Sequence, residues 1–173
     1  MSDSPSLYAD RLDILRSTLK EQSLDGFLVP MTDEYQNEYI ASHDKRIEFL
    51  SGFTGSAAFI LVLSDRALFF TDGRYLLQAE NQLPEDLFTI YDIMDTSPAE
   101  WIGDHMLEHA RVGFDPHLHT TAQIERMEIH ALKRHVSLVP VDRNPIDAIW
   151  EDQPPLPQNP IHAHDMRFAG EDS

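Results

Sequence analysis

An unbroken apolar stretch over residues 57–63, Ala-Ala-Phe-Ile-Leu-Val-Leu, is the strongest hydrophobic signal in the chain. A strand-length run without polar alternation must be covered on both faces, so it predicts a strand in the centre of a sheet. A polar turn over residues 64–66 follows, and Ala-Leu-Phe-Phe at 67–70 is a second apolar run of strand length. The two runs predict a β-hairpin in the middle of the sheet.

The other hydrophobic positions alternate between strand and helix spacing along the chain. Further strands are predicted over residues 26–30, 88–93, 111–114 and 136–141, with 88–93 patterned as an edge strand. Helices are predicted over residues 6–21, 46–50, 71–83, 97–110 and 120–134. This alternation predicts an α/β fold with a mixed, mainly parallel sheet of about six strands, a central hairpin and helices on both faces.

Helix starts and buried helix faces are also predicted. Ser97, with Pro98 and Glu100 in the first turn, and Thr120 or Thr121 have the chemistry of helix N-caps. The side chains expected to face the core in these two helices are Trp101, Ile102, Met106, Leu107, Ile124, Met127, Ile129 and Leu132.

Arg74 stands directly after the second strand of the hairpin. Thr71 or Asp72 is expected to cap a helix that continues to Leu83, which places Arg74 in the first helical turn. That position lies at the carboxyl end of a strand, where open α/β sheets bind ligands, and a guanidinium group suits a carboxylate or a peptide carbonyl. The alternative is an ordinary solvated arginine that pairs with a neighbouring acid.

The composition of the chain changes at residue 144. Residues 1–143 are expected to form one α/β domain, and residues 144–173 a short helix and a proline-rich linker that leads to a second domain. One helical turn over 144–150 would bury Ile146, Ile149 and Trp150 against the first domain. Four prolines between residues 154 and 160 would then stiffen the chain into an extended spacer.

Charge and cysteine content exclude several classes of function. Thirty acidic and thirteen basic residues give a net charge of −17, which repels nucleic acids and anionic membranes. The chain has no cysteine, so it has neither a disulfide framework nor a thiolate zinc site. Its first residues lack the pattern of a signal peptide and no apolar run is long enough to span a membrane, so a cytoplasmic protein is predicted.

Candidate metal ligands are limited to three histidine pairs, His105 with His109, His117 with His119, and His162 with His164. The first pair is four residues apart on a predicted helix and could share a metal ion, but a catalytic zinc needs a third protein ligand. A metal hydrolase built on that pair is therefore kept as an alternative only. No nucleophile elbow, phosphate-binding loop or catalytic cysteine occurs, so no catalytic residue and no metal ligand is assigned.

Three short segments occur in a characteristic order. Residues 32–40 are Thr-Asp-Glu-Tyr-Gln-Asn-Glu-Tyr-Ile, residues 52–57 are Gly-Phe-Thr-Gly-Ser-Ala, and residues 71–75 are Thr-Asp-Gly-Arg-Tyr. Together they resemble the amino-terminal domain of the Xaa-Pro aminopeptidases, in the creatinase/prolidase group of pita-bread metallopeptidases. Tyr35 departs from this pattern, since many members have histidine there, and Ala58 stands where glycine is common. Residues 166–170 look like the opening of the second domain in three-domain members.

The resemblance implies a non-catalytic domain that helps to form the substrate cleft and the oligomer of a cytoplasmic Xaa-Pro aminopeptidase. These enzymes cleave the bond before a penultimate proline with two divalent metal ions, commonly manganese, held by the carboxy-terminal domain. No stretch of this chain resembles those ligand motifs, so the chain alone is expected to be inactive and to hold no metal.

The resemblance also implies roles for individual residues. Arg74 matches the family arginine that reaches the bound peptide, and Asp33 or Glu38 is expected to orient it, with Asp72 and Tyr75 as further supporting residues. The expected partners are the second and catalytic domains of the parent chain, Xaa-Pro peptides and a second copy of the protein. The alternative from a different class is a stand-alone binding or assembly module without peptidase activity.

Overall fold

The computed structural model describes residues 5–160, 162–163 and 165–169 of the 173-residue chain. The strands are β1 Gly26–Pro30, β2 Phe59–Leu63, β3 Ala67–Thr71, β4 Phe88–Asp92, β5 Arg111–Phe114 and β6 Ser137–Pro140. The α-helices are α1 Pro5–Glu21, α2 Arg46–Ser51, α3 Leu76–Gln82, α4 Pro98–His105, α5 Thr121–Ala131, α6 Pro145–Ile149 and α7 Met166–Ala169. Two short 3₁₀ helices lie at Ser42–Asp44 and Leu132–Arg134.

The six strands form one sheet in the order β4-β3-β2-β1-β5-β6. Strand β2 is antiparallel to both of its neighbours, β1 and β3, whereas the β1–β5, β3–β4 and β5–β6 pairs are parallel. The mixed, mainly parallel sheet with a central hairpin is therefore confirmed, and β4 is an edge strand as predicted.

Strand β2 shows why the central strand must be apolar throughout. Ile60 and Val62 pack into the core on one face of the sheet, together with α1, α2, α3 and α6. Leu61 and Leu63 pack into the core on the other face, together with α4 and α5. Helices on both faces are thus confirmed, because successive side chains of a strand point to opposite sides.

The predicted helix caps at Ser97 and Thr120 are present. Ser97 and Glu100 form a capping box at the start of α4, in which the Glu100 backbone N–H donates to Ser97 Oγ at 3.3 Å and the Ser97 N–H donates to Glu100 Oε2 at 2.8 Å. Thr120 and Gln123 form the same arrangement at the start of α5. These contacts satisfy N–H groups that a helix start leaves without partners.

Three of the side chains predicted to face the core are exposed instead. Leu107, Ile129 and Leu132 have 78%, 67% and 69% of their surface exposed. Helix α4 ends at His105, before Leu107, and α5 ends at Ala131, before Leu132. Ile129 is two residues from the buried Met127, which at about 100° per residue places it on the opposite side of α5.

The segment after residue 143 packs against the domain. Asn144 caps α6 by accepting a hydrogen bond from the Ile146 N–H at 3.0 Å, and Ile146 is fully buried. Ile149 and Trp150 are partly buried against the same core, as predicted. Residues 166–169 form the short helix α7, and the last residue of the 166–170 segment lies outside the described residues.

Candidate functional site

The segments identified in the sequence lie together at one end of the sheet, which is called here the carboxyl edge because most of the strands end there. Strands β1, β3, β4 and β5 all end there, and β2, which runs the opposite way, begins there. The loop 31–45 follows β1, and residues 72–75 follow β3. The carboxyl ends of parallel strands are where α/β sheets present groups to ligands.

Arg74 lies at this edge in a turn and not in a helix. The Tyr75 N–H donates to the Asp72 carbonyl at 2.9 Å, and the Arg74 N–H donates to the Asp72 carboxylate at 3.0 Å. Helix α3 begins only at Leu76, so the prediction of a helix capped by Thr71 or Asp72 is wrong. Asp72 uses its carboxylate to close a local turn, which competes with helix capping.

The Arg74 guanidinium forms a two-point pair with Asp72. Arg74 Nε donates to Oδ1 at 2.9 Å and Nη2 donates to Oδ2 at 2.7 Å, while 69% of the Arg74 side chain stays exposed. The Arg74 hydrogen bonds hold the pKa of the Asp72 carboxyl below its usual value, and the pair raises the pKa of Arg74. The pair fixes the direction of the guanidinium without burying it.

Tyr75 joins two of the sequence segments. Its hydroxyl shares a hydrogen bond with the Ser56 hydroxyl at 2.8 Å, and its ring packs edge-on against Phe53 with the centroids 5.9 Å apart. The Arg74 guanidinium carbon lies 5.3 Å from the centroid of the Tyr75 ring. The segments 52–57 and 71–75 are therefore in direct contact, although Ser56 and Tyr75 are 19 positions apart in the sequence.

The loop that contains Ser56 is also fixed to α3. The Thr54 backbone N–H donates to Gln82 Oε1 at 3.1 Å, and the amide groups of Gln78 and Gln82 donate to the Thr54 hydroxyl at 3.1 and 3.0 Å. Sequence reasoning missed this network and the Ser56–Tyr75 contact. The residues lay inside or just after the recognised segments, but glutamines on a predicted helix face give no signal of a distant partner.

Asp33 is placed differently from the expectation. Its carboxylate accepts hydrogen bonds from the Tyr35 N–H, the Asn37 N–H and Asn37 Nδ2, so it orders its own loop and does not orient Arg74. Burial alone would raise the pKa of Asp33, but these hydrogen bonds hold it below the usual value. Asp72 is the carboxylate that holds Arg74.

Glu38 lies close enough to Arg74 for its charge to raise the pKa of the arginine, without a hydrogen bond between them among the described residues. It also lines a cleft of about 360 Å³ beside the Ser56–Tyr75 contact. The other lining residues are Met31, Tyr39, Ile40, Lys45, Glu48, Phe53, Thr54, Gly55 and Ser56. The edge thus offers a guanidinium, carboxylates, hydroxyls and an apolar floor, which together suit an extended peptide.

The histidine pairs do not form a metal site in the part of the chain that the structure describes, where no group of three or more potential ligands occurs. His109 lies beyond the end of α4 and stacks on His135 with ring centroids 5.3 Å apart, so the predicted helical pairing with His105 is wrong. His119 is buried between Phe59 and Phe114. His164 lies outside the described residues.

Comparison with known proteins decides the family. Residues 11–149 match the family model of the creatinase/prolidase N-terminal domain. The chain belongs to this family. As a creatinase/prolidase N-terminal domain it spans about a quarter of the length of the curated relatives that it matches.

Relatives and solved structures agree with this assignment. The chain is 38% identical over 161 residues to aminopeptidase P1 of Lotus japonicus, covering 92% of this chain and 24% of the relative. It is also similar to the solved structure of the X-prolyl aminopeptidase of Caenorhabditis elegans, a cytosolic enzyme with a di-nuclear active site. The two are 31% identical with a TM-score of 0.79, and the match covers 87% of this chain and 26% of the other.

A third comparison concerns the fold alone. The N-terminal domain of the cytoplasmic peptidase PepQ from Mycobacterium tuberculosis has a TM-score of 0.62 at 24% identity, and covers 81% of this chain and 98% of the other. A solved domain of nearly the same extent thus has this fold. Within the described residues of the present domain, no helix is both long and apolar enough to cross a membrane.

Proposed function

We propose that this domain is the non-catalytic amino-terminal part of an Xaa-Pro aminopeptidase and that Arg74 binds the peptide substrate. Such an enzyme removes the amino-terminal residue that precedes a proline. The observation that carries the proposal is the Arg74–Asp72 pair, which holds a largely exposed guanidinium just beyond the carboxyl end of β3. The aminopeptidase names of the relatives support the choice of substrate class.

The chemistry of Arg74 fits this role. A guanidinium has five N–H donors, and two of them, on Nε and Nη2, are used on Asp72. The remaining donors have no hydrogen-bond partner among the described residues and can donate to a peptide carbonyl or carboxylate. A guanidinium that is already oriented loses less side-chain entropy when it binds than one that moves freely.

Supporting roles follow from the contacts of the neighbouring residues. Tyr75 would keep the turn in place through Ser56 and Phe53, and Asp72 would hold the guanidinium. Glu38 would add a negative charge at the cleft, suited to a cationic group of the peptide. Asp33 would act indirectly, by ordering the loop from which Glu38 projects.

The hydrolytic chemistry in this proposal belongs to polypeptide other than residues 1–173. Two divalent metal ions, with manganese as the expected metal, would activate the attacking water in that part of the enzyme. The present domain would contribute binding and orientation of the peptide. A cytoplasmic location and a homo-oligomer are part of the same proposal, and the first is supported by the cytosolic C. elegans relative.

The proposal is tested by comparing residues 1–173 with the protein encoded by the whole open reading frame. The full-length protein, loaded with manganese, should hydrolyse Xaa-Pro peptides, and residues 1–173 alone should not. A reading frame that stops at Ser173, or one whose product leaves these peptides intact, would contradict the proposal and favour a stand-alone binding module.

A further inference from the structure

Arg46 is a buried arginine that joins α2 to the segment after residue 143. It is 5% exposed, and its Nε and Nη2 donate to the two carboxylate oxygens of Asp147 at 2.7 and 2.9 Å. Its Nη1 donates to Asp44 at 3.2 Å. Burial alone would lower the pKa of Arg46, but the two carboxylates raise it above the usual value. A two-point pair of this kind gives direction as well as strength.

A second group of contacts continues along the chain from Asp147. Gln153 Nε2 donates to Asp147 Oδ1 at 3.1 Å and to the His43 carbonyl at 3.0 Å. His43 Nδ1 lies 2.7 Å from the Pro154 carbonyl. Because a carbonyl oxygen only accepts, Nδ1 carries the hydrogen in this contact. Backbone and side chains of residues 43–46 therefore hold the chain as far as Pro154.

The Trp150 ring adds an apolar contact to the same surface. It stacks on Phe49 of α2 with the ring centroids 4.6 Å apart and an angle of 19° between the planes. The Phe49 carbonyl accepts a hydrogen bond from Arg11 Nη1 at 2.6 Å, and the Arg11 guanidinium carbon lies 4.0 Å from the Phe49 ring centroid. Helix α2 thus contacts the 144–154 segment through the Phe49–Trp150 pair, and Arg11 of α1 packs on Phe49.

The hydrogen bonds to the domain stop after Pro154, although Leu156 and Pro157 still line a cleft together with residues such as Asp33. Residues 155–160 are all exposed, and in the described part of the chain none of them forms a hydrogen bond. Three of these six residues are prolines, which favour an extended chain that makes no internal hydrogen bonds. The last of these hydrogen bonds therefore lies eleven residues beyond the boundary predicted at 143/144.

We propose that Arg46 and His43 form a clamp that makes residues 144–154 a fixed part of the domain, so that the joint to any following polypeptide begins after Pro154. The clamp stands independently of the role of Arg74. One consequence does rest on the proposed function. If Arg74 binds peptide, the clamp also limits how far Arg74 can move relative to the next domain. Arg46 is then a positioning residue.

Hydrogen exchange of residues 1–173, followed by mass spectrometry, tests the clamp. The Trp150 and Gln153 N–H groups donate to the Ile146 and Trp150 carbonyls at 3.0 and 3.2 Å, so their exchange reports on this segment. In Asp147→Ala, exchange in peptides that contain them should become on the order of tenfold faster or more, with exchange in β2 and β3 unchanged. Asp104→Ala, which removes an exposed pair with Lys133, is the matched control and should exchange like the wild type.

The variant His43→Ala keeps the proposal testable if Asp147→Ala does not fold, since His43 contacts Pro154 from the surface of the domain. It should accelerate exchange around residue 153 and leave the sheet unchanged. Wild-type exchange in this segment for both variants would overturn the clamp. Equal acceleration in β2 and β3 would also overturn it, because Arg46 would then only contribute to general stability. No peptide substrate enters this experiment, so its failure leaves the proposed function untouched.

Discussion

Arg74 and Asp72 form a two-point pair, with Nε 2.9 Å from Oδ1 and Nη2 2.7 Å from Oδ2, at the carboxyl end of β3. The Asp72 Oδ1 also accepts the Arg74 backbone N–H at 3.0 Å. Exposed ion pairs contribute little to the stability of a fold. The pair is therefore better explained by orientation of the guanidinium than by stability, and this distinction can be measured.

Asp72 should affect substrate binding only by orienting Arg74. In the full-length enzyme, Asp72→Ala should lower kcat/KM for Xaa-Pro peptides by a smaller factor than Arg74→Ala, because the guanidinium remains but is no longer oriented. The double variant should be no worse than Arg74→Ala, since residues that act as a unit are not additive. A double variant whose loss of kcat/KM equals the product of the two single losses would contradict this coupling.

Two glycines in the recognised segments should respond differently to alanine. Gly52 has φ = 76°, and a Cβ there would collide with the Tyr8 hydroxyl. Gly52→Ala should lower the free energy of unfolding by roughly 1 to 3 kcal/mol, because alanine at positive φ is strained.

Gly73 is the control for that substitution, since a Cβ at this position would have no described heavy atom within 4 Å beyond the two adjacent residues. Gly73→Ala should change the free energy of unfolding by no more than about 0.5 kcal/mol. Urea denaturation of residues 1–173 measures both. Equal losses of unfolding free energy in the two variants would contradict the different surroundings of Gly52 and Gly73.

The buried His119 should make stability depend on pH. Burial lowers its pKa to about 4, while the charge of Asp115 acts in the opposite direction. Its Nε2 has no hydrogen-bond partner in the described structure. In the unfolded chain the pKa is about 6.5, so between pH 6.5 and 4 the unfolded state takes up a proton that the folded state does not. The contribution of the neutral His119 to the free energy of unfolding is therefore fully present above this pH window and is lost as the pH falls through it.

The substitution His119→Leu should remove this dependence. Between about pH 7.5 and 4, the wild type should lose roughly 2 to 3 kcal/mol more free energy of unfolding than the variant does. His117→Gln, at an exposed position two residues away, should follow the wild type. Denaturant titrations at stepped pH values provide the comparison, and parallel curves for wild type and His119→Leu would contradict a neutral buried imidazole.

The sheet could be predicted from the sequence because its signals are local. The unbroken apolar pattern of β2 follows from burial on both faces, with Ile60 and Leu61 in opposite cores. The caps at Ser97 and Thr120 were likewise predictable, since each capping box lies within four consecutive residues.

The wrong predictions concern side chains that suit either of two local structures. The missed contacts join residues that are distant in the sequence. Asp72 has the chemistry of a helix cap and also of a turn, and only the structure shows that it closes a turn on Arg74. Asp33 looked free to orient Arg74, but Asn37 occupies its carboxylate. The Arg46–Asp147 pair spans 101 positions, and no periodicity in either segment indicates it.

Arg66 provides a matched control for Arg74. It also pairs with an adjacent aspartate, Asp65, with Nη2 and Oδ2 2.7 Å apart, and 57% of its side chain is exposed. It lies in the turn between β2 and β3, at the opposite edge of the sheet from Arg74. Loss of Arg66 removes the same charge without touching the candidate site.

The decisive measurement is kcat/KM for Xaa-Pro peptide hydrolysis by the full-length enzyme carrying Arg74→Ala or Arg66→Ala. Loss of a charge-assisted hydrogen bond to the peptide should reduce kcat/KM by roughly tenfold or more in Arg74→Ala. Arg66→Ala should match the wild type. Wild-type kinetics in Arg74→Ala, or equal losses in the two variants, would contradict the role of Arg74 in substrate binding.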